Sequence, residues 1–202
     1  MKVNLPNKLT LLRIALIPLI LILMIEIPAW PAQAAFVQTV LCRILALIVF
    51  CLASVTDFFD GQIARKRNLV TNFGKFTDPL ADKMLVLSVF LAFVANGRIH
   101  ALIFFVILAR ELIITGLRQV ALEQNFVMSA SWWGKAKTTI QMFALIALMI
   151  EGIVIAKSST HAAGSIYTTV ANILVALALI LTIISAVDYF RKNAGLLKDT
   201  TA

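Results

Sequence analysis

Acidic side chains are scarce in this chain: ten in 202 residues, against eighteen lysines and arginines. Charged residues of both signs reach only 14%, hydrophobic residues make up 61%, and the mean hydropathy is +0.95. A soluble domain sits near ~25% charged and ~45–50% apolar. This composition therefore excludes an ordinary soluble fold and points to an integral membrane protein. Cysteine is nearly absent too. Cys42 and Cys51 fall on one apolar stretch, and a helix would separate them by about 13 Å along its axis, which excludes a disulfide between them. No dense basic run with interleaved aromatics is present, so the net charge of +8 does not argue for nucleic acid. It fits membrane orientation and anionic lipid contact instead. The N-terminal apolar run is long and no small-residue cleavage site follows it, so no cleavable signal peptide is expected. No internal repeat is evident, and 202 residues hold one helical bundle, a single membrane domain over 1–202.

What is present is a series of apolar stretches near 9–29, 37–59, 79–96, 100–122, 138–156 and 166–190. Each approaches the ~20 residues needed to cross a bilayer. The expected fold class is thus all-α, with six transmembrane helices. Pro28 and Pro31 mark the first external turn, Asn96-Gly97-Arg98 the second and Ser158 to His161 the third; 123–137 is a polar connection on the other side. Fourteen of the eighteen lysines and arginines fall on the side that holds both ends of the chain. Arg98 and Lys157 lie in the opposite loops, and Arg43 and Arg110 lie within spans. By the positive-inside bias both termini are cytoplasmic. Trp30, Trp132 and Trp133 suit interfacial aromatic belts.

Four of the ten acids crowd between the second and third spans. Asp57 and Asp60 are three apart, Asp78 and Asp82 are four apart, and each pair falls on one helical face. A turn over 66–77 would lay the two helices antiparallel, so that both pairs converge on one cavity at the cytoplasmic end. A carboxylate at membrane depth costs roughly 2.5–3.5 kcal/mol on insertion scales, so four demand a cation. Oxygen ligation without His or Cys suits Mg²⁺ or Mn²⁺. Two such ions can clamp the attacking and leaving oxygens of a displacement at phosphorus. Asp82, deepest along the third span, suits the general base. Gly61 and Ala64 are small residues on the face of the second aspartate. Beside four carboxylates they read as a nucleotide or phosphate seat; alone they would read as helix packing.

The complete pattern is Asp-x2-Asp-Gly-x2-Ala-Arg-x8-Gly-x3-Asp-x3-Asp, from Asp57 to Asp82. It resembles the signature of the CDP-alcohol phosphotransferase family, with no departure, and the six-span plan extends the resemblance over nearly the whole chain. Members of that family displace CMP from a CDP-alcohol with a second alcohol, using two divalent metals. The resemblance implies that Asp57, Asp60 and Asp78 ligate metal, and that Asp82 contacts the second metal and deprotonates the acceptor hydroxyl. It also implies that Gly61, Ala64 and Arg65 line the CDP seat. Gly74 is grouped with them and is also expected as a turn glycine. Asn7 and Thr10 either cap the first helix or touch the diphosphate.

Asn4 to Arg13, and Ala109-Arg110-Glu111-Leu112-Ile113 through Arg118, resemble the bacterial branch of the family that joins CDP-diacylglycerol to sn-glycerol 3-phosphate. The acceptor's phosphate would need cations, which Arg110, Arg118 and Lys135 could supply. An arginine within a span is costly unless it has a task; its structural alternative is a pair with an acid such as Glu111. Arg118 and Lys135 read equally as interfacial charges. Glu151 and Asp188, near span ends, are expected to face water or a partner, and no chemistry is assigned to His100 or His161. The resemblance implies a homodimer in a bacterial inner membrane, with its site facing the cytoplasm. Two other readings remain open at this level: the same chemistry on serine, an inositol phosphate or phosphatidylglycerol, and a small cation transporter.

Overall fold

A computed structural model describes residues 5–25, 40–56, 72–123, 131–157 and 161–193. Among these the chain is all-helical: α1 (Leu5–Met24), α2 (Val40–Thr56), α3 (Asn72–Ala95), α4 (Ala101–Glu123), α5 (Trp132–Lys157) and α6 (His161–Lys192). The expected all-α class holds, and three boundaries move. α3 starts at Asn72, so Gly74 falls in its first turn rather than in the loop expected there. α5 starts at Trp132 and absorbs the end of the expected 123–137 connection, and His161 opens α6. The reason is common to all three. Hydropathy marks only the apolar part of a helix, whereas backbone hydrogen bonding carries the helix on into polar residues. Pro28, Trp30, Pro31 and Ser158 to Thr160 lie outside the described residues.

α5 and α6 contain stretches, Trp132–Lys157 and Ser165–Lys192, that are long and apolar enough to cross a membrane; Leu9–Met24 and Val40–Thr56 are shorter apolar helices. The surface carries the same message. Ile166, Val170, Ile173, Leu177, Ile180, Ile184 and Val187 form an exposed stripe on α6, far more apolar surface than a water-soluble monomer leaves open. The opposite face of α6 buries Ala171, Val175, Ala178, Thr182, Ser185 and Tyr189. Small and polar residues inside with large apolar ones outside are the arrangement expected where lipid is the solvent. Hydroxyls within the helices are satisfied locally: Ser54 donates to the Phe50 carbonyl at 2.8 Å, Thr56 to Leu52 at 2.7 Å and Thr182 to Ala178 at 2.6 Å. Cys42 and Cys51 are free thiols.

The helices divide into two compact units: Met1–Ile99 with Met149–Gly164, and His100–Leu148 with Ser165–Ala202. In the first, α1 packs on α3. α1 buries Thr10, Arg13, Ile17, Ile20 and Met24, and α3 buries Ala81, Leu85, Val89 and Phe93, each a stripe of helical period. Fully buried alanines at 46 and 81 permit close helix approach. In the second unit, Ile107, Ile114 and Ala121 of α4, Ala144, Leu145 and Leu148 of α5, and the buried stripe of α6 make the core.

α3 ends as the expected Asn96-Gly97-Arg98 turn. Gly97 has φ 68°, its amide donates to Val94 at 3.0 Å, and the Arg98 amide donates to Phe93 at 2.9 Å. This is a Schellman closure with glycine at the left-handed position. The turn presents Arg98, whose Nε donates to both carboxylate oxygens of Glu151 at 3.1 and 3.0 Å. Arg43 of α2 donates to the carbonyl of Gly152, the next residue of α5, at 2.6 Å. Glu151 was expected to face water or a partner; its side chain is 3% exposed and paired.

Two outcomes follow for thermal unfolding in detergent. Gly97→Ala, with open space around the new methyl, should lower stability by about 1 kcal/mol through the left-handed backbone alone. Arg98→Met strands the buried Glu151 carboxylate and should cost about 3 kcal/mol or more. Glu151→Met should cost clearly less, because Arg98, 31% exposed, can turn its charge to water.

Candidate active site

The aspartate signature reaches the described structure through α3. Asp57, Asp60, Gly61, Ala64 and Arg65 lie outside the described residues. Asp78 and Asp82 sit four positions apart on the unbroken α3 backbone, the register that brings two carboxylates to one helical face. Gly74, Asp78 and Asn7 are described as helix backbone only. Asp82 is partly exposed, whereas Ala81 beside it is fully buried, so the helix turns the carboxylate off the packed core. The donor set available on α3 is oxygen only, which fits a hard divalent cation. Among the described residues, no three His, Cys, Asp or Glu side chains form a metal-holding group.

α1, packed on α3, brings Thr10 and Arg13 into the same unit, at 4% and 3% exposure. Thr10 thus lies in the helix interior, five residues past its first residue, which removes the capping alternative. Arg13 was counted toward the basic bias of the cytoplasmic side and the resemblance of Asn4 to Arg13, with no role of its own, and its side chain is buried. Thr10, Arg13, Asp82 and Lys83 each take part in a hydrogen-bonding or electrostatic interaction.

A second polar cluster forms in the other unit, around Arg110. Its Nη1 donates to Glu111 Oε1 at 3.1 Å and its Nη2 to Ser185 Oγ at 2.6 Å. Lys137, 2% exposed, forms an ion pair with the same Glu111 Oε1. Arg110 Nε is buried with no hydrogen-bond partner among the described residues. α5 passes close by at Gly134, where an added Cβ would stand 3.6 Å from Arg110 Nη2 and 3.7 Å from Ser185 Oγ. The seam between α5 and α6 continues in antiparallel register on both sides. Ser131 donates to Asp188 Oδ2 at 2.5 Å, and Gln141 Nε2 reaches Thr182 Oγ1 at 3.4 Å. Lys192 closes the outer end on Asp188 at 2.9 Å.

Arg110 therefore makes the pair with Glu111 that was weighed as its structural alternative, and that pair leaves guanidinium donors over. Arg118 and Lys135 are exposed. Sequence reasoning missed Lys137 and Ser185, and it named Glu111 only as a partner of Arg110. Lys135 and Lys137 both lie in a basic stretch, and only the rotation of α5 separates an exposed lysine from a buried one. The available signal was the cost of the charge itself: Lys137 stands at the polar end of an apolar helix, where a buried ammonium needs a partner.

Comparison with known proteins adds independent evidence. A model of the CDP-alcohol phosphatidyltransferase family matches residues 3–184. The chain is 39% identical over 196 residues to a protein of Bacillus subtilis (strain 168), covering 96% of this chain and 97% of the relative. It is 39% identical over 189 residues to one of Rickettsia bellii (strain RML369-C), covering 93% and 94%. With a protein of Haemophilus influenzae (strain ATCC 51907 / DSM 11121 / KW20 / Rd) it shares 32% over 203 residues, covering 98% of each. All three relatives are named CDP-diacylglycerol–glycerol-3-phosphate 3-phosphatidyltransferase. With the aspartate signature complete and the match running nearly end to end, the chain belongs to the CDP-alcohol phosphatidyltransferase family.

Proposed function

We propose that this chain transfers the phosphatidyl group of CDP-diacylglycerol to sn-glycerol 3-phosphate, giving phosphatidylglycerophosphate and CMP. The observation that carries the reading is the eight-residue signature from Asp57 to Asp82 in a chain similar over nearly its full length to relatives bearing that name. In this reading residues 1–202 are one catalytic membrane domain with six spans, both termini and the site on the cytoplasmic side of a bacterial inner membrane, working as a homodimer.

Each residue then has a task. Asp57, Asp60, Asp78 and Asp82 hold two divalent cations, Mg²⁺ or Mn²⁺, which when bound supply Lewis-acid stabilisation of charge on the phosphoryl oxygens. Asp82 takes the proton from the 1-hydroxyl of glycerol 3-phosphate as that oxygen attacks the β-phosphorus. The bond from that phosphorus to the CMP oxygen breaks and CMP leaves. Asn7, Thr10, Gly61, Ala64, Arg65 and Gly74 form the seat for the CDP moiety. Arg110, Arg118 and Lys135 bind the acceptor's phosphate, a task suited to forked or point cations. The reaction is a single displacement and needs no covalent enzyme intermediate.

The test is CMP release by the purified full-length protein in detergent, with CDP-diacylglycerol, Mg²⁺ and one acceptor at a time. Release should depend on glycerol 3-phosphate, and not appear with serine, inositol 1-phosphate or phosphatidylglycerol. A chelator should abolish it, and Mg²⁺ or Mn²⁺ should restore it. Asp82→Asn should lower kcat by about 10²–10⁴, the range of a lost general base; retained activity in that variant defeats the base assignment. Release with another acceptor would keep the chemistry and overturn the acceptor.

A further inference from the structure

We propose that Lys137, Glu111 and Ser185 are positioning residues that orient Arg110 and keep its charge available to the phosphate of the acceptor. The inference rests on the reading of Arg110 as an acceptor-phosphate group.

The argument begins with the geometry of one guanidinium. Arg110 has five N–H donors in a rigid fork. One arm is held by Glu111 Oε1 at 3.1 Å and the other by Ser185 Oγ at 2.6 Å. These two bonds use two of the five donors, and Nε is buried without a partner among the described residues. A fork gripped at both arms has little rotational freedom to lose when an anion arrives, which is the condition for tight and selective binding. Gly134 leaves the guanidinium its room on the α5 side, within ordinary van der Waals distance of Nη2.

Charge decides the role of Lys137. Glu111 follows Arg110 directly in the chain, and an adjacent carboxylate would by itself neutralise the guanidinium in a low-dielectric setting. An incoming phosphate would then meet a pair of zero net charge and would also be repelled by the carboxylate. Lys137 reaches the same Glu111 oxygen from α5 and balances its charge. Arg110 and Lys137 against Glu111 sum to +1, and that surplus goes to the guanidinium, which still has donors. Lys137 is too fully enclosed, at 2% exposure, to be spent on solvent. It acts through Glu111 and needs no contact with the ligand. Ser185, fully buried, sets the plane of the guanidinium without changing the charge.

The test is steady-state kinetics of the full chain in detergent, varying glycerol 3-phosphate and CDP-diacylglycerol separately. Lys137→Met should raise KM for glycerol 3-phosphate about ten-fold, the worth of a charge-assisted contact, while kcat and KM for CDP-diacylglycerol change by less than about three-fold. Lys137→Arg should behave close to wild type. The double variant Glu111→Gln with Lys137→Met removes both charges, returns the guanidinium its own, and should recover most of the lost KM. Ser185→Ala, which alters no charge and removes a single oxygen, keeps the test available if Lys137→Met does not fold. It should raise KM for glycerol 3-phosphate by roughly three- to ten-fold. Wild-type protein without glycerol 3-phosphate-dependent release overturns the functional reading, and this inference with it. Wild-type activity combined with an unchanged KM in Ser185→Ala or Lys137→Met, or with loss in kcat alone, overturns only the inference. A double variant no better than Lys137→Met overturns the charge argument.

Discussion

An ionised side chain inside an apolar helical bundle must be paired, and much of the polar architecture of this protein answers to that constraint. The described interior carries Arg13, Glu111, Lys137 and Glu151 at 8% exposure or less. Desolvating such groups is worth several kcal/mol each against folding, and only close partners with good geometry offset it. The pairs of Glu111, Lys137 and Glu151, with the neighbouring Arg110, tie helices together: Arg98 of the loop after α3 to Glu151 of α5, Lys137 of α5 to Glu111 of α4, Arg110 of α4 to Ser185 of α6. In a helical protein immersed in lipid the hydrophobic effect does little to choose one helix neighbour over another, because lipid tails are as apolar as leucine. Charge pairing and small-residue packing then carry the specificity of assembly.

The two clusters differ in what they leave over. At Arg98 and Glu151 both carboxylate oxygens accept from Arg98 Nε and the cation keeps an exposed flank. That is an arrangement that closes a helix end onto its neighbour. At Arg110 the stoichiometry of charge is uneven and donors remain on a buried guanidinium. A structural clasp gains nothing from such surplus, whereas a seat for a phosphate requires it. The same elementary interaction serves cohesion in one place and, in the proposed function, recognition in the other.

The all-α class, the four-residue spacing of Asp78 and Asp82 on one helix, and the membership of the family were legible in the chain, since each depends on local period or on fixed spacing. Arg110 was also legible, because an arginine in an apolar stretch is conspicuous. Its partner was half legible: Glu111 is adjacent, but nothing local shows a carboxylate shared with Lys137. The choice of Lys135 over Lys137 turned on the rotation of α5 about its own axis, and the two positions point to different sides of the helix. Helix ends were misjudged at Gly74, Trp132 and His161 for a related reason, since apolar length measures the bilayer and not the hydrogen-bonded backbone.

By itself, then, the sequence determined how many helices form and the spacing of the aspartates along the chain. These follow from hydropathy and from the fixed rise and pitch of a helix, which need no knowledge of any neighbour. Only the tertiary structure decided which ion meets which: that Arg43 binds the Gly152 carbonyl, that Glu151 belongs to Arg98, and that one oxygen of Glu111 serves both Arg110 and Lys137. Those pairings join residues from 26 to 109 positions apart in all but one case. They depend on which faces of separate helices are pressed together, a choice made by packing across the bundle.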